Sequence, residues 1–441
     1  MNIAFVPIDN RPVCYSLPNQ IAKISGDINL YLPEESMLGD LTKNADTEGI
    51  LNWLEDLKNL DVVVVSLDTI AYGGLIPSRR SNDSLEDIKV RLSRLKRIIS
   101  EKKVYAFSSI MRISNNNVNE EEKEYWKDWG KKIFEYSYNF HKNGLTETNV
   151  PTAILEDYLK TRRRNFEINK IYLEWQKEGI FDTLIFSKDD CAEYGLNVME
   201  ALELEKLGGF TKTGADEIPL SLLARSVSTK KIKIAPIYLV PEYKNLISNY
   251  EDVSIEESVK GQIELAGCEV SNTYNADILL FINNFEDHQG EIVMKVATKN
   301  FEGDWQKPQK PYMIADVRFA NGADNMFVEK LFEKGLGKNF LGYSAWNTSA
   351  NTLGSLICAG KLMYQSSLQD ENFIKLQVVR FLDDWAYQAN VRQMLDNPDE
   401  NLCKELMKPF EEKVRQIFNV KYDVNYKFPW NRLFEVEVEL N

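Results

Sequence analysis

Short runs of consecutive apolar residues alternate along the chain with longer stretches in which apolar positions recur every three or four residues. The runs are "NIAFVPI", "VVVVSL", "VYAFSSIM", "TLIFSK", "KIAPIYL", "ILLFINN", "YMIADVRF" and "FLGYSAW", with a shorter "INLYL". They are rich in Val, Ile, Phe and Tyr, and several are continuously apolar. That pattern suits a strand buried on both faces of a parallel sheet. Stretches such as "LEDIKVRLSRLKRIISEKK" and "ESVKGQIELAG" carry the spacing of amphipathic helices. Alternation of the two patterns predicts an α/β fold.

The strand count fits a (β/α)8-like barrel over residues 1–354 with a mostly helical extension over 355–441. The extension closes on "VNYKFPWNRLFEVEVEL", whose alternation is strand-like. The alternative is a pair of doubly wound α/β domains dividing near residue 228, where "SVSTKK" interrupts the pattern. A second interruption is "GDWQKPQKP" at 303–311. With 441 residues, either solution has more than one ordinary small core to fill.

Charge and composition narrow the partners. The chain has 67 acidic and 53 basic residues, a net charge of −14, which disfavours nucleic acid. Arg162, Arg163 and Arg164 lie among acidic neighbours and read as a solvated helix face. No apolar run approaches the roughly 20 residues of a membrane helix. The start of the chain has none of the features of a signal peptide, so a cytoplasmic protein without a membrane partner is expected. Five scattered cysteines without a CxxC pair are expected to be reduced. His141 and His288, the two histidines, sit in no motif suited to a zinc site or a Ser-His-Asp triad. The pattern leaves the oligomeric state open.

Chemistry collects just after the strand-like runs. Asp9 and Arg11 follow the first, in "FVPIDNRP". Asp68, Tyr72 and Arg79 follow "VVVVSL", Arg112 ends "FSSIMR", and Asp189 and Asp190 follow "LIFSK". "IADVRFANGAD" supplies Asp316, Arg318, Asn321 and Asp324, and "YSAWNTSANTLG" supplies Trp346, Asn347 and Asn351. Ligands of parallel α/β folds bind at the carboxyl ends of the strands. Carboxylates, amides and aromatic faces in such a set suit a polyhydroxylated ligand. Each residue also has a plainer role open to it. An Asp after a strand can cap the next helix, "YGG" can be a turn needing positive φ, and Asp9 with Arg11 can be an ion pair. "GADE" reads as a helix start, with Asp216 capping and Glu217 in the first turn.

Several stretches together resemble a bacterial family known as domain-of-unknown-function family 4127. They are "PIDNRP", "SLDTIAYGGLIPSR", "IMR", "KDDCAEYG", "GADE", "RFANGAD", "AWNTSANTLG", "DDWAYQANVR" and "PWNRLFEVEVE". They run from residue 7 to residue 438. The resemblance implies kinship and no particular reaction. The adjacent aspartates after a strand are similar to those of O-GlcNAcase-type barrel enzymes. That likeness implies Asp189 orienting an acetamido group and Asp190 as general acid.

The expectation is therefore a glycoside hydrolase-like enzyme acting on a small glycoside or amino-sugar glycoside. Asp189 and Asp190 form its carboxylate pair, with Glu217 or Asp216 as a further catalytic carboxylate. Asp9, Arg11, Asp68, Tyr72, Arg79, Arg112, Asp316, Arg318, Asn321, Asp324, Trp346, Asn347 and Asn351 are the expected substrate contacts. No cofactor or metal is expected in this reading. In a second reading Mg²⁺ or Mn²⁺ is held by Asp9, Asp68, Asp189, Asp190 and Asp316, and the substrate is phosphorylated or carboxylated. A third is a sugar-binding protein without catalysis.

Overall fold

The structure is a computed structural model and describes residues 1–189, 191–227, 230–366 and 370–441. The chain divides into two compact units. The first comprises Met1–Asn10, Asn29–Leu222 and Tyr250–Asp252. The second comprises Arg11–Ile28, Leu223–Asn249 and Val253–Asn441.

The first unit is built on β1 (Asn2–Val6), β2 (Asn29–Tyr31), β3 (Val62–Ser66), β4 (Lys103–Ile110), β5 (Thr183–Lys188) and β6 (Thr211–Thr213). All pair in parallel, in the order β2-β1-β3-β4-β5-β6. Every residue of β3 is buried, which explains why it reads as unbroken valine rather than as an alternation. The helices between start where short polar side chains can cap them. Asp46 accepts from the backbone of Gly49 ahead of Thr47–Asp56, and Ser84 and Asp87 form a reciprocal capping box ahead of Leu85–Ile99. "YGG" is a positive-φ turn. Gly73 ends the helix Leu67–Tyr72 at φ 93°, and Gly74 follows at φ 130° with the carbonyl of Ile8 only 3.0 Å from where a Cβ would stand.

The second unit contains β7 (Lys233–Tyr238), β8 (Glu269–Val270), β9 (Ile278–Asn283), β10 (Gly290–Glu291), β11 (Tyr312–Asp316), β12 (Phe319–Ala320), β13 (Phe340–Ser344), β14 (Val424–Lys427) and β15 (Glu437–Leu440). A five-stranded parallel sheet runs β13-β11-β9-β7-β8. β10 pairs with β12, and β14 with β15 antiparallel. Residues 355–418 are mostly helical, as the pattern predicts, in Ser349–Ser366, Glu371–Arg380, the π-helical turn Phe381–Tyr387 and Glu400–Phe418. Counting only the strands of each large sheet in chain order, both contain the order 2-1-3-4-5.

The α/β expectation therefore holds, with two parallel sheets. Among the described residues no pairing closes either sheet on itself. All nine apolar runs are strands. β6, β8 and β10 went unread because two or three residues make no run. No helix among the described residues is long and apolar enough to cross a membrane.

One local expectation is corrected. The arginine triplet is not a solvated face, since Arg163 alone points outward. Arg162 is buried and ion-paired to Glu200 at 2.5 Å, and Arg164 binds the carbonyls of Ser78 and Ser81. Carbonyls at the ends of neighbouring segments attract the charges inward. The helix after "KDDCAEYG" begins at Leu196, past Gly195.

Candidate functional site

In the first unit, a charged cluster forms at the carboxyl ends of β3, β4 and β5. Arg79 lies in the short helix Leu75–Arg80, and its guanidinium is 1% exposed. It contacts Asp189 at 3.3 Å, Glu122 at 3.2 Å and Glu121 at 3.4 Å. Arg112, two residues beyond β4, contacts Glu121 at 2.9 Å, Glu122 at 3.1 Å and Asp189 at 3.7 Å. Asp189 is thus a counter-ion to two guanidiniums. Asp190 lies outside the described residues, so the adjacent pair is not described as a pair.

The helix Thr152–Lys177 aims these arginines. Arg162 donates to the carbonyl of Met111 at 2.7 Å, beside Arg112. Asn165 donates to the carbonyl of Ser78 at 2.9 Å, beside Arg79. Asn169 accepts from Ser108 at 2.7 Å. Positions i, i+3 and i+7 lie on one helical face, so one stripe holds both the end of β4 and the helix Leu75–Arg80. Glu121, Glu122 and this stripe were missed in the sequence. The spacing of Arg162, Asn165 and Asn169 is the signal that could have found the stripe. Nothing in the sequence marked the glutamates.

Asp68 follows β3 and is fully buried. Its Oδ2 accepts from the backbone N–H of Ser109 at 2.7 Å, and burial pushes its pKa up to about 7. Its Oδ1 and the hydroxyls of Tyr72 and Tyr172 are buried without a hydrogen-bond partner among the described residues. Asp9 is buried after β1. "GADE" does lead into a helix, Ile218–Val227, but Glu217 directly precedes it rather than lying in its first turn, and is fully buried; Asp216 is 6% exposed. The Glu217 carboxylate lies against Gly214, where a Cβ would meet its Oε1 at 1.9 Å. Asp252 pairs with Lys188, the last residue of β5, and accepts from Thr213, the last residue of β6.

In the second unit, one group of predicted contacts braces strand ends. Asp316 accepts from Asn283 Nδ2 at 2.8 Å, from the N–H of Asp324 at 2.8 Å and from the Tyr343 hydroxyl at 3.1 Å. Burial and the charge of Asp324 push its pKa up to about 7. Asp324 caps the helix Asn325–Lys334 and takes the N–H of Phe301. Arg318 donates to Asn283 Oδ1 at 3.0 Å and to the carbonyl of Lys299 at 2.8 Å. All three side chains are about 1% exposed or less and satisfied internally.

Asn321, Trp346 and Asn347 instead line a small pocket with Asp383, Gln388 and Glu435. Asn321 follows β12, and Trp346 and Asn347 follow β13. Asp383 belongs to the π-helical turn, and Glu435 to the segment between β14 and β15. The Trp346 indole is pinned by a 3.0 Å bond to Ser355. Asp383 receives Arg380 at 2.9 Å and Gln388 at 3.3 Å, and burial raises its pKa. Glu435 contacts Arg11 at 3.4 Å and Arg432 at 3.2 Å. Guanidiniums and rings alternate along one wall: Arg11 and Arg432 lie 5.5 and 4.5 Å from the Trp430 ring, and Arg432 and Arg392 lie 5.1 and 5.0 Å from Phe434.

Trp430 is only partly buried. Asn321, Asn347, Trp430 and Asn431 all have positive φ, at 61°, 53°, 59° and 52°. Asn tolerates that region, but Trp rarely does, and backbone outliers cluster at ligand sites. Asn351 lies in the first turn of Ser349–Ser366, with Oδ1 buried and without a hydrogen-bond partner among the described residues. Among the described residues, no group of three or more His, Cys, Asp or Glu side chains is placed to hold a metal ion.

Fold and site define an α/β protein of parallel sheets whose polar and charged side chains gather beyond the strand ends. The chain belongs to the family described as protein of unknown function (DUF4127), whose model matches residues 3–439. No curated protein and no solved structure matches it.

Proposed function

We propose that the protein is a glycoside hydrolase-like enzyme acting on a small glycoside or amino-sugar glycoside, and that the second unit's pocket receives the sugar. The observation that carries the reading is the pocket wall. Two carboxylates, Asp383 and Glu435, share it with the amides of Asn321, Asn347 and Gln388 and the Trp346 ring. Amides and carboxylates pair with hydroxyls, and an indole face covers a sugar's C–H side. Glycoside cleavage needs one carboxyl that keeps its proton and one that stays charged. Burial raises the pKa of Asp383 against the pull of Arg380 at 2.9 Å and so favours its protonated form, while Arg11 and Arg432 flank Glu435 with positive charge. Asp383 is then the acid and Glu435 the nucleophile or base. The matching 2-1-3-4-5 strand orders support two doubly wound units over a single (β/α)8-like barrel.

The test is turnover of a panel of aryl glycosides, N-acetylhexosaminides included, with and without EDTA. Asp383→Asn is expected to lower kcat by about 10²–10⁴-fold. Asp189→Asn and Asp190→Asn are expected to keep most of it. The opposite pattern moves the chemistry to the adjacent aspartates of the first unit. Loss on chelation moves it to the Mg²⁺ or Mn²⁺ reading. Ligand-induced stabilisation without turnover leaves a sugar-binding protein.

A further inference from the structure

The pocket that receives the sugar in the preceding reading has one feature that a neutral sugar does not use. Arg392, in the 3-10 turn Val391–Met394, is half-buried directly behind two residues of the wall. Its Nη1 donates to Gln388 Oε1 at 3.0 Å, and its guanidinium lies 5.0 Å from the Phe434 ring. Gln388 and Phe434 both line the pocket. The other arginines of this region have carboxylate partners: Arg380 has Asp383 and Asp384, and Arg11 and Arg432 have Glu435. Arg392 forms no ion pair among the described residues. Glu435 and Glu291 act on it only from beyond ion-pair distance. A guanidinium withdrawn from water without a carboxylate is costly, and a ligand anion relieves that cost.

Gln388 adds direction. Its amide nitrogen donates to Asp383 Oδ1 at 3.3 Å and to the carbonyl of Phe434 at 3.2 Å, so its oxygen is turned toward Arg392. One side chain thereby holds the proposed acid and the spare guanidinium in a fixed relation on the same wall.

We infer that Arg392 makes this pocket selective for an anionic sugar, one bearing a carboxylate or a phosphate, over its neutral counterpart. The inference rests on the sugar reading of the same pocket. A charge-assisted hydrogen bond of this kind changes affinity by roughly 10- to 100-fold.

The experiment measures binding first, by calorimetry, on the full chain with glucuronate, glucose, glucose 6-phosphate and inorganic phosphate as probes. Glucuronate or glucose 6-phosphate is expected to bind at least 10-fold more tightly than glucose. The tighter of the two identifies the anion. Arg392→Met is expected to abolish the preference, and Arg392→Lys to restore part of it, which guards against a variant that merely misfolds. Matched aryl glucuronides and glucosides are then compared for kcat/KM. Anion-selective binding that depends on Arg392, without turnover of any glycoside, upholds this inference and sinks the hydrolase reading. Turnover of neutral and acidic glycosides with equal kcat/KM, unchanged in ratio by Arg392→Met, upholds the hydrolase and overturns the inference. Binding of none of the four probes overturns it as well. So does phosphate binding that survives in Arg392→Met.

Discussion

Replacing Asp384 by Ala tests how the pocket wall is held. Asp384 is fully buried in the π-helical turn that carries Asp383. Its Oδ2 accepts from the N–H of Ala345 at 2.7 Å and from the Ser344 hydroxyl at 3.2 Å. Its Oδ1 takes Arg380 at 3.0 Å. Truncation leaves a backbone donor and a hydroxyl without their acceptor in a dry interior, at about 1–3 kcal/mol for the donor that cannot rotate away. Breaking a buried ion pair costs about 3–5 kcal/mol when the partner is stranded. Arg380 keeps Asp383 at 2.9 Å, so the lower part of that range applies. The terms share one side chain and do not simply add. The expected loss is about 3–5 kcal/mol, read from the urea unfolding midpoint of the second unit's transition. Asp384→Asn keeps the shape and one acceptor oxygen and should lose less, about 1–3 kcal/mol. If Asp384→Ala unfolds within about 0.5 kcal/mol of the parent, the network does not brace the turn, and the reasoning from buried hydrogen bonds fails.

Two further predictions concern Asp68 and Trp430. Asp68 has a folded pKa of about 7, above that of an exposed carboxyl, so the folded state holds more protons than the unfolded chain between about pH 4 and 7. Its contribution is fully present below about pH 4 and is lost as pH rises to 7. The stability of Asp68→Asn relative to the parent should therefore climb across that window and level off above it, and a flat difference in pH-dependent urea titrations would contradict the assignment. Trp430→Ala should cost about 1–3 kcal/mol, the worth of two cation–π contacts with largely buried guanidiniums, and a loss of 4 kcal/mol or more in the same assay would show that the ring acts as a core residue.

Unbroken apolar runs such as "VVVVSL" fixed the strand positions and the parallel α/β class, because a strand covered on both faces has no solvent side to mark with polar residues. The helical stretch after residue 355 was equally legible from its spacing. The site was legible in part. Asn321, Trp346 and Asn347 were picked out by position after strand-like runs, and they do line one pocket. Asp316, Arg318 and Asp324 carry the same signature and form a closed internal network instead. Strand-end position alone does not separate the two outcomes. Whether a carboxylate faces a pocket or a neighbour's N–H depends on contacts tens of residues away.

Sequence by itself thus determined what is local: periodicity, capping residues such as Ser84 with Asp87, and the Gly73–Gly74 turn. It also determined membership of the family through motifs spread over the whole chain. The division into two units with repeated strand order was decided only in three dimensions, because strand order is set by which edges pair and leaves no trace in a run of valines. The same is true of the pocket wall. Asp383, Gln388 and Glu435 follow no strand end of a parallel sheet, and they reach Trp346 and Asn347 because a π-helical turn and the β14–β15 connection are packed against the end of β13. Burial, which makes Arg392 a spare charge and Asp383 a reluctant one, is a property of that packing and of no residue alone.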